Sequence, residues 1–515
     1  MNASIHLMSQ SFNVPCRRFS AALTVSKSER LPLVKEFALR LIYVHHSCSA
    51  DHLNAFFGFS DREIGILVKD LVSASLVTYE RGELSLTDET KSKFDTVEGG
   101  LPHISVVEPW IENFAIDFLS FSLLHWEIRP DSYRVFHNLE STDIEKVSQS
   151  KSVAKEVFAN SFYEYVEKYK TSVSDEERAN LSIYGISSVQ PRDTFSFPLT
   201  VDIVIQPQHP GQALHEYPDF RTEAEQARRG GLIRSVSRKV DDLKASGKFE
   251  GNWSRVFVDE LRDTFYAQLV SREGLLIRGL CQHTWDMEST LYDSGKSQAF
   301  IGDLSKDENK DLVLSHIDEA FVDSSDISNQ VGPVIFWGKP TNDFWMRNSN
   351  AFDLAAEVAS RVGHATKGRP ELRLVLNNRY EDHFAVDKRL RRGNNTRLFS
   401  KGLGVNLTPD MASSEIVLIP GQVAVYLFYY LDSSLDSPIP FGFVTRHPQR
   451  LALIERWARR QWSGFGRKVY ELWCSKRNSK KLEQIEISAR QAFSDLRAMD
   501  AANPKRSSTL SLKKD

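Results

Sequence analysis

"FSDREIGILVKDLVSASLVTYERGELSLTDE", residues 59–89, decides how the front of this chain is read. Ser60 and Glu63 have the spacing of a capping box, which predicts a helix from Asp61 to about Ser73. Ile64, Leu67, Val68 and Leu71 fall on one side of that helix. "LVTYERGELSLTD" then reads as a hairpin with Arg81-Gly82 at its tip. Working outward, "RLPLVKEFALRLIYVHHS" (30–47) places Leu33, Phe37, Leu41 and Val44 at helical spacing, and these are its expected core face. "CSADHLNAFFG" (48–58) makes a second short helix, capped at Ser49 or Asp51 and stopped by Gly58.

Three helices followed by a hairpin is the order of a winged helix, and residues 28–95 resemble that family by pattern. The resemblance implies a helix able to enter a DNA groove. Such a helix normally presents Arg, Lys, Asn or Gln to base edges. Here the exposed positions are Arg62, Glu63, Gly65, Lys69, Asp70 and Ser73, two positives against two negatives, with Asp61 at the start. Glu80 and Glu83 flank Arg81. Carboxylates beside phosphates oppose the counterion release that drives non-specific binding. The module is therefore expected to brace or dock, and not to read sequence.

The chain has 515 residues, 41% of them apolar and 26% charged, with a net charge of −3. That length predicts two to four domains. Cys16, Cys48, Cys281 and Cys474 lie far apart and form neither a disulfide framework nor a zinc ribbon, so a reducing cytoplasm is expected. The strongest apolar run, "EIVLIPGQVAVYLFYYL" (415–431), is broken by Pro420-Gly421 and reads as two buried strands, not a membrane span. The expected organisation is a polar leader (1–28), a winged helix (29–98), a mixed middle domain (101–330), an α/β domain (331–475) and a helical end with a basic tail (476–515). The fold class is multidomain α+β with an α/β C-terminal part. Residues 331–465, with "PFGFVTRHPQRLALIERWA" near their end, resemble the phospholipase D superfamily. That family needs His and Lys two residues apart, so that His attacks phosphorus while Lys holds the phosphate oxygens. None of the 14 histidines has Lys at that spacing. The resemblance therefore implies a degenerate copy without phosphohistidine chemistry.

Positive charge collects in three runs. Lys388, Arg389, Arg391, Arg392, Arg397 and Lys401 lie in a Gly-Asn loop. Arg456, Arg459, Arg460, Arg467 and Lys468 follow, interleaved with Trp457, Trp462, Phe465 and Trp473. Arg228, Arg229, Arg234, Arg238 and Lys239 form the third run. A basic, aromatic-studded surface suits a phosphate backbone. Candidate chemistry is sparser. Glu381, His383 and Asp387 follow a strand's C-terminal end, where open α/β sheets build sites. Gly295-Lys296-Ser297 mimics part of a phosphate loop. His45, His46, Cys48 and His52 are close in sequence, but no second ligand pair exists, so no metal or cofactor is expected. The expected function is a non-catalytic nucleic-acid-binding or scaffold subunit. It would bind DNA without sequence preference, work with a protein partner and make no membrane contact. The architecture vaguely resembles accessory proteins of bacterial phage-defence clusters. The alternatives are a metal-dependent nuclease or phosphodiesterase centred on His383, a protein-only adaptor, and a transcriptional regulator.

Overall fold

The computed structural model describes residues 4–30, 32–95, 103–124, 136–170, 174, 175, 178, 181–247, 249, 251–272, 274–285, 290–322, 333–378, 391–392, 396–463, 468–474, 485–494 and 496. The chain is mixed helix and strand with several sheets. It divides into two compact units: Met1–Pro15, Arg129–Glu140 and Ser196–Asp515 form one, and Cys16–Ile128 with Ser141–Phe195 form the other. The division does not follow the boundaries expected at residues 101 and 331. The stretch read as one middle domain contributes to both units.

The first unit is organised by a ten-stranded sheet. Its order is Leu291–Tyr292, Ser297–Ile301, Ile439–Thr445, Val423–Tyr430, Ser414–Ile419, Val334–Gly338, Glu371–Asn377, Lys401–Val405, Val469–Cys474 and Ile485–Ile487. Val334–Gly338, Glu371–Asn377 and Lys401–Val405 run parallel, and the other pairings are antiparallel. The run 415–431 forms two strands, Ser414–Ile419 and Val423–Tyr430, joined at Gly421 with a φ of 72°. Both faces of these strands are covered, which is why they lack polar alternation. Ile335, Trp337, Val417, Ile419, Val425 and Leu427 meet Val313, Ile317, Leu354 and Val358 of the helices Asp307–Val322 and Ser349–Thr366. The opposite side carries Phe336 against Trp462 and Phe493, and Tyr426 against Trp457 and Phe257.

In the second unit, the helices Ser150–Asn160 and Phe162–Tyr169 lay Phe158, Phe162 and Tyr165 on a sheet face made by Phe19, Ala21, Leu23, Val25, Phe114 and Ile116. The polar leader expected over 1–28 is instead the strand Ile5–Arg30, and its register runs from Cys16↔Asp117 to Arg30↔His103. Ser20, Thr24 and Ser26 alternate with buried Phe19, Ala21, Leu23 and Val25, a period of two that average polarity conceals. Before that crossing, the strand is held within the first unit, where Ser11 N donates to Arg347 O at 2.8 Å.

The front module has the order Leu33–His45 helix, Cys48–Ser49 strand, Ala50–Phe57 helix, Asp61–Ser73 helix, and the hairpin Val77–Glu80/Glu83–Leu86. Cys48–Ser49 pairs with the second hairpin strand to give three strands. Ala38, Leu39, Ile42, Leu53, Ile64, Leu67, Leu71, Val77 and Leu84 form its core. The first helix turns a different face inward from the one expected. Ala38, Leu39 and Ile42 are buried, whereas Leu33, Phe37 and Val44 are 70%, 46% and 71% exposed. Apolar residues ring this helix almost completely, so periodicity alone could not choose its buried side.

Gly442 tests the packing of the large sheet. A Cβ there would fall on the Tyr426 carbonyl of the neighbouring strand, and the Gly442 carbonyl accepts from the buried Tyr266 hydroxyl at 2.6 Å. Gly442→Ala is expected to lower the thermal transition of the first unit, with a cost on the order of 3 kcal/mol. An unchanged melting curve would show that the strands can separate locally.

Candidate nucleic-acid interface

Local chemistry sets the charge on the helix Asp61–Ser73. Ser60 N donates to Glu63 Oε2 at 2.8 Å, the Ser60 hydroxyl donates to the same oxygen at 2.7 Å, and Ser60 Oγ accepts from Glu63 N, closing the capping box. The Ser60 backbone N–H, then its hydroxyl, holds the Glu63 carboxyl below its usual range. Asp61 accepts from Asn54 Nδ2 at 3.3 Å, and Asp70 pairs with Lys35 of the first helix at 3.1 Å. Asp61 and Glu63 also lie in the first turn, where the helix dipole offsets negative charge. Each carboxylate of this helix is therefore engaged inside the module. Arg62 and Lys69 are exposed and have no ion-pair partner among the described residues. In the hairpin that follows, the tip Arg81-Gly82 has φ angles of 54° and 86°, the two positive values a type I′ turn needs. Arg81 is exposed there.

The C-terminal basic residues are placed differently. Lys401 pairs with Glu471 at 2.8 Å, with both side chains largely buried. Arg460 pairs with Glu260, Arg446 with Glu319, and Lys468 with Glu486 at 3.0 Å. Half-buried Arg459 donates to the Leu496 carbonyl. Arg450 lies deepest: it bonds Asp263 at 2.9 Å and Asp293 at 2.6 Å and lies over the rings of Tyr292 and Phe443. Burial works against the Asp293 carboxylate, but the hydrogen bonds from Arg450 and Ser297 and the charge of Arg450 together outweigh it and leave the group below its usual range. Within the C-terminal stretch, Arg456 is exposed and has no ion-pair partner among the described residues. The interleaved tryptophans are not stacking platforms. Trp457, Trp462 and Trp473 are 2%, 0% and 5% exposed. Trp457 and Trp462 pack on the side of Tyr426 and Phe336, and Trp473 packs in the core with Trp337, where a Cβ on Gly402 would go.

Arg391–Arg392 and Thr396–Arg397 form a two-stranded hairpin in their backbone. Lys388, Arg389 and Arg467 lie outside the described residues, as do Glu381, His383 and Asp387. Gly295 belongs to a tight turn, and the buried Ser297 hydroxyl is bonded to Asp293 and Thr445. The His45 and His52 rings are 5.1 Å apart, but no group of three or more potential metal ligands occurs among the described residues. On the third basic run, Arg234 and Arg238 are exposed one turn apart, while Arg229 lies over Phe220.

Sequence reasoning missed a buried acid. Glu415 accepts from Trp337 Nε1 and Trp345 Nε1, both at 2.7 Å, and from the Tyr429 hydroxyl at 3.2 Å. Burial pushes it up to about 7 despite the indole hydrogen bonds, and the negative charge of Asp303 adds to the rise. Asp303 is itself pushed up to about 6 by burial. A lone acid opening the apolar run "EIVLIP" was the available signal.

Neither a family model nor a curated protein matches the sequence. Among solved structures, the chain is similar to TrmBL2, an archaeal chromatin protein described as showing a novel mode of DNA binding. The identity is 6%, over 84% of this chain and 92% of that one, with a TM-score of 0.19. A score that low carries no argument about this chain. No helix among the described residues is long and apolar enough to cross a membrane.

Glu415 gives the first unit a pH dependence. Its folded value of about 7 lies above its ordinary 4.5, so the folded state holds the proton more tightly and stability falls as pH rises through that window. Glu415→Gln keeps an acceptor for both indoles without the charge. Its melting temperature is expected to match the parent at about pH 5 and exceed it at about pH 8. Parallel pH profiles for parent and variant would show that Glu415 is not the titrating group.

Proposed function

We propose that this protein binds nucleic acid without acting on it chemically. In this reading the front module is a winged helix and the main contact surface. One observation carries it: every carboxylate of the helix Asp61–Ser73 is engaged within the module, while Arg62, Lys69 and Arg81 are exposed and have no ion-pair partner among the described residues. The ion pairs of the C-terminal basic stretch weigh against that stretch as the main grip. A phosphate held there would have to displace a carboxylate already in place. Arg391, Arg392 and Arg397 with their neighbours Lys388 and Arg389 remain the second candidate contact, and Arg456 the third.

Three phosphate contacts give modest affinity. The logarithm of the binding constant should fall with the logarithm of salt concentration with a slope of roughly −3. Fluorescence anisotropy with labelled duplex, single strand and RNA across a salt series measures this. Arg62→Glu with Lys69→Glu is expected to remove most of the binding and flatten the slope, whereas Arg456→Glu leaves both nearly unchanged. The opposite ranking would return the contact to the C-terminal stretch. Incubating the same DNA with a divalent metal tests the rival nuclease reading, because cleavage lost in His383→Ala would replace this proposal.

A further inference from the structure

We infer that the front module pairs with a second copy of itself through its first helix. Leu33, Phe37 and Val44 are exposed along one side of the helix Leu33–His45, with Leu41 part-buried beside them. Isolated exposed apolar residues are ordinary, but a continuous stripe along three turns of one helix is not.

Two features fit the stripe to its own copy. The first is spacing. Leu33 and Phe37 lie on one side of the helix midpoint, and Leu41 and Val44 lie almost equally far on the other. An antiparallel two-fold pairing therefore sets Leu33 against the second copy's Val44, and Phe37 against its Leu41. Isologous contacts demand this self-complementarity. The second feature is charge. Arg40, the cation beside the stripe, is paired with Glu36 at 3.0 Å within one chain, and Lys35, on the buried side of the helix, is paired with Asp70 at 3.1 Å. The seam is thus flanked by cancelled charges. Two copies meet without like-charge repulsion, and a strongly acidic or basic partner would find nothing to pair with. The surface is independent of the nucleic-acid reading, because Leu33, Phe37 and Val44 are on a different helix from Arg62 and Lys69.

One helix seam is smaller than a standard stable interface, so the dimer should dissociate on dilution across roughly 1 to 100 µM. Sedimentation velocity of the full chain, without nucleic acid, reads this directly. Phe37→Glu is expected to weaken self-association at least about tenfold. The melting curve should stay near the parent's, because the side chain is already exposed. The pairing geometry has its own test: Leu33→Glu and Val44→Lys each weaken association alone, and an equimolar mixture recovers a heterodimer through the new ion pair. The inference is overturned if the parent is monomeric throughout, if Phe37→Glu dimerises like the parent, or if the mixture stays monomeric.

Discussion

The constraint behind this structure is that an arginine taken out of water must find carboxylates. Arg450 is 5% exposed and bridges Asp263, 187 residues earlier, and Asp293. Removing either acid would leave a buried charge uncompensated, which is among the more damaging single changes a core can suffer. These bonds tie the helix Pro448–Ser463 to the turn before Ser297–Ile301 and to Asp263, the cap of the short helix Thr264–Ala267. Arg446 and Arg460 follow the same rule farther out, meeting Glu319 and Glu260. The acids that hold this basic stretch come from distant parts of the first unit.

Glu415 obeys the same rule with the sign reversed. No cation among the described residues pairs with it, so two indole N–H groups and a phenol hydroxyl carry the load. Neutral donors stabilise an anion less than a cation does. Full burial is the larger reason the Glu415 proton is held near neutrality, and these donors offset it only in part, whereas the less buried Asp293, held by Arg450 and Ser297, lies below its usual range; Asp263, deeper than Asp293, is raised by burial even with Arg450 beside it. The tryptophans Trp337 and Trp345 therefore do two jobs: they fill the core and they satisfy the acid within it.

What could be read from the sequence follows the range of each interaction. The capping box at Ser60 and Glu63, the Gly58 stop and the Arg81-Gly82 turn each depend on a few consecutive residues, and all three are present. The two strands at 414–430 were legible because apolar content and a Pro-Gly break are local. The strand Ile5–Arg30 was hidden, because its serines lower average hydropathy while alternation buries the residues between them. The first helix was misassigned because it is apolar all round, and only packing around Ala38 decides which side is covered. The basic stretch was the hardest case. Charge counted over neighbours gives an excess of arginine, but the acids that pair with Arg446, Arg450 and Arg460 lie more than 100 residues away in sequence.

The pair Lys35–Asp70 shows why the two surfaces of the front module can coexist. Both side chains are part-exposed, so the pair adds little to stability, at most about 1 kcal/mol. Its effect is on where charge remains. Lys35 removes a negative charge from the helix that carries Arg62 and Lys69. Asp70 removes a positive charge from the first helix, which carries Leu33, Phe37 and Val44. One bond between the first and third helices leaves the proposed nucleic-acid face more positive and the first helix more nearly neutral. Salt loosens such a pair and also weakens phosphate contacts, but it does not weaken apolar association. Ionic strength should therefore separate the two surfaces, releasing nucleic acid while leaving the helix seam closed.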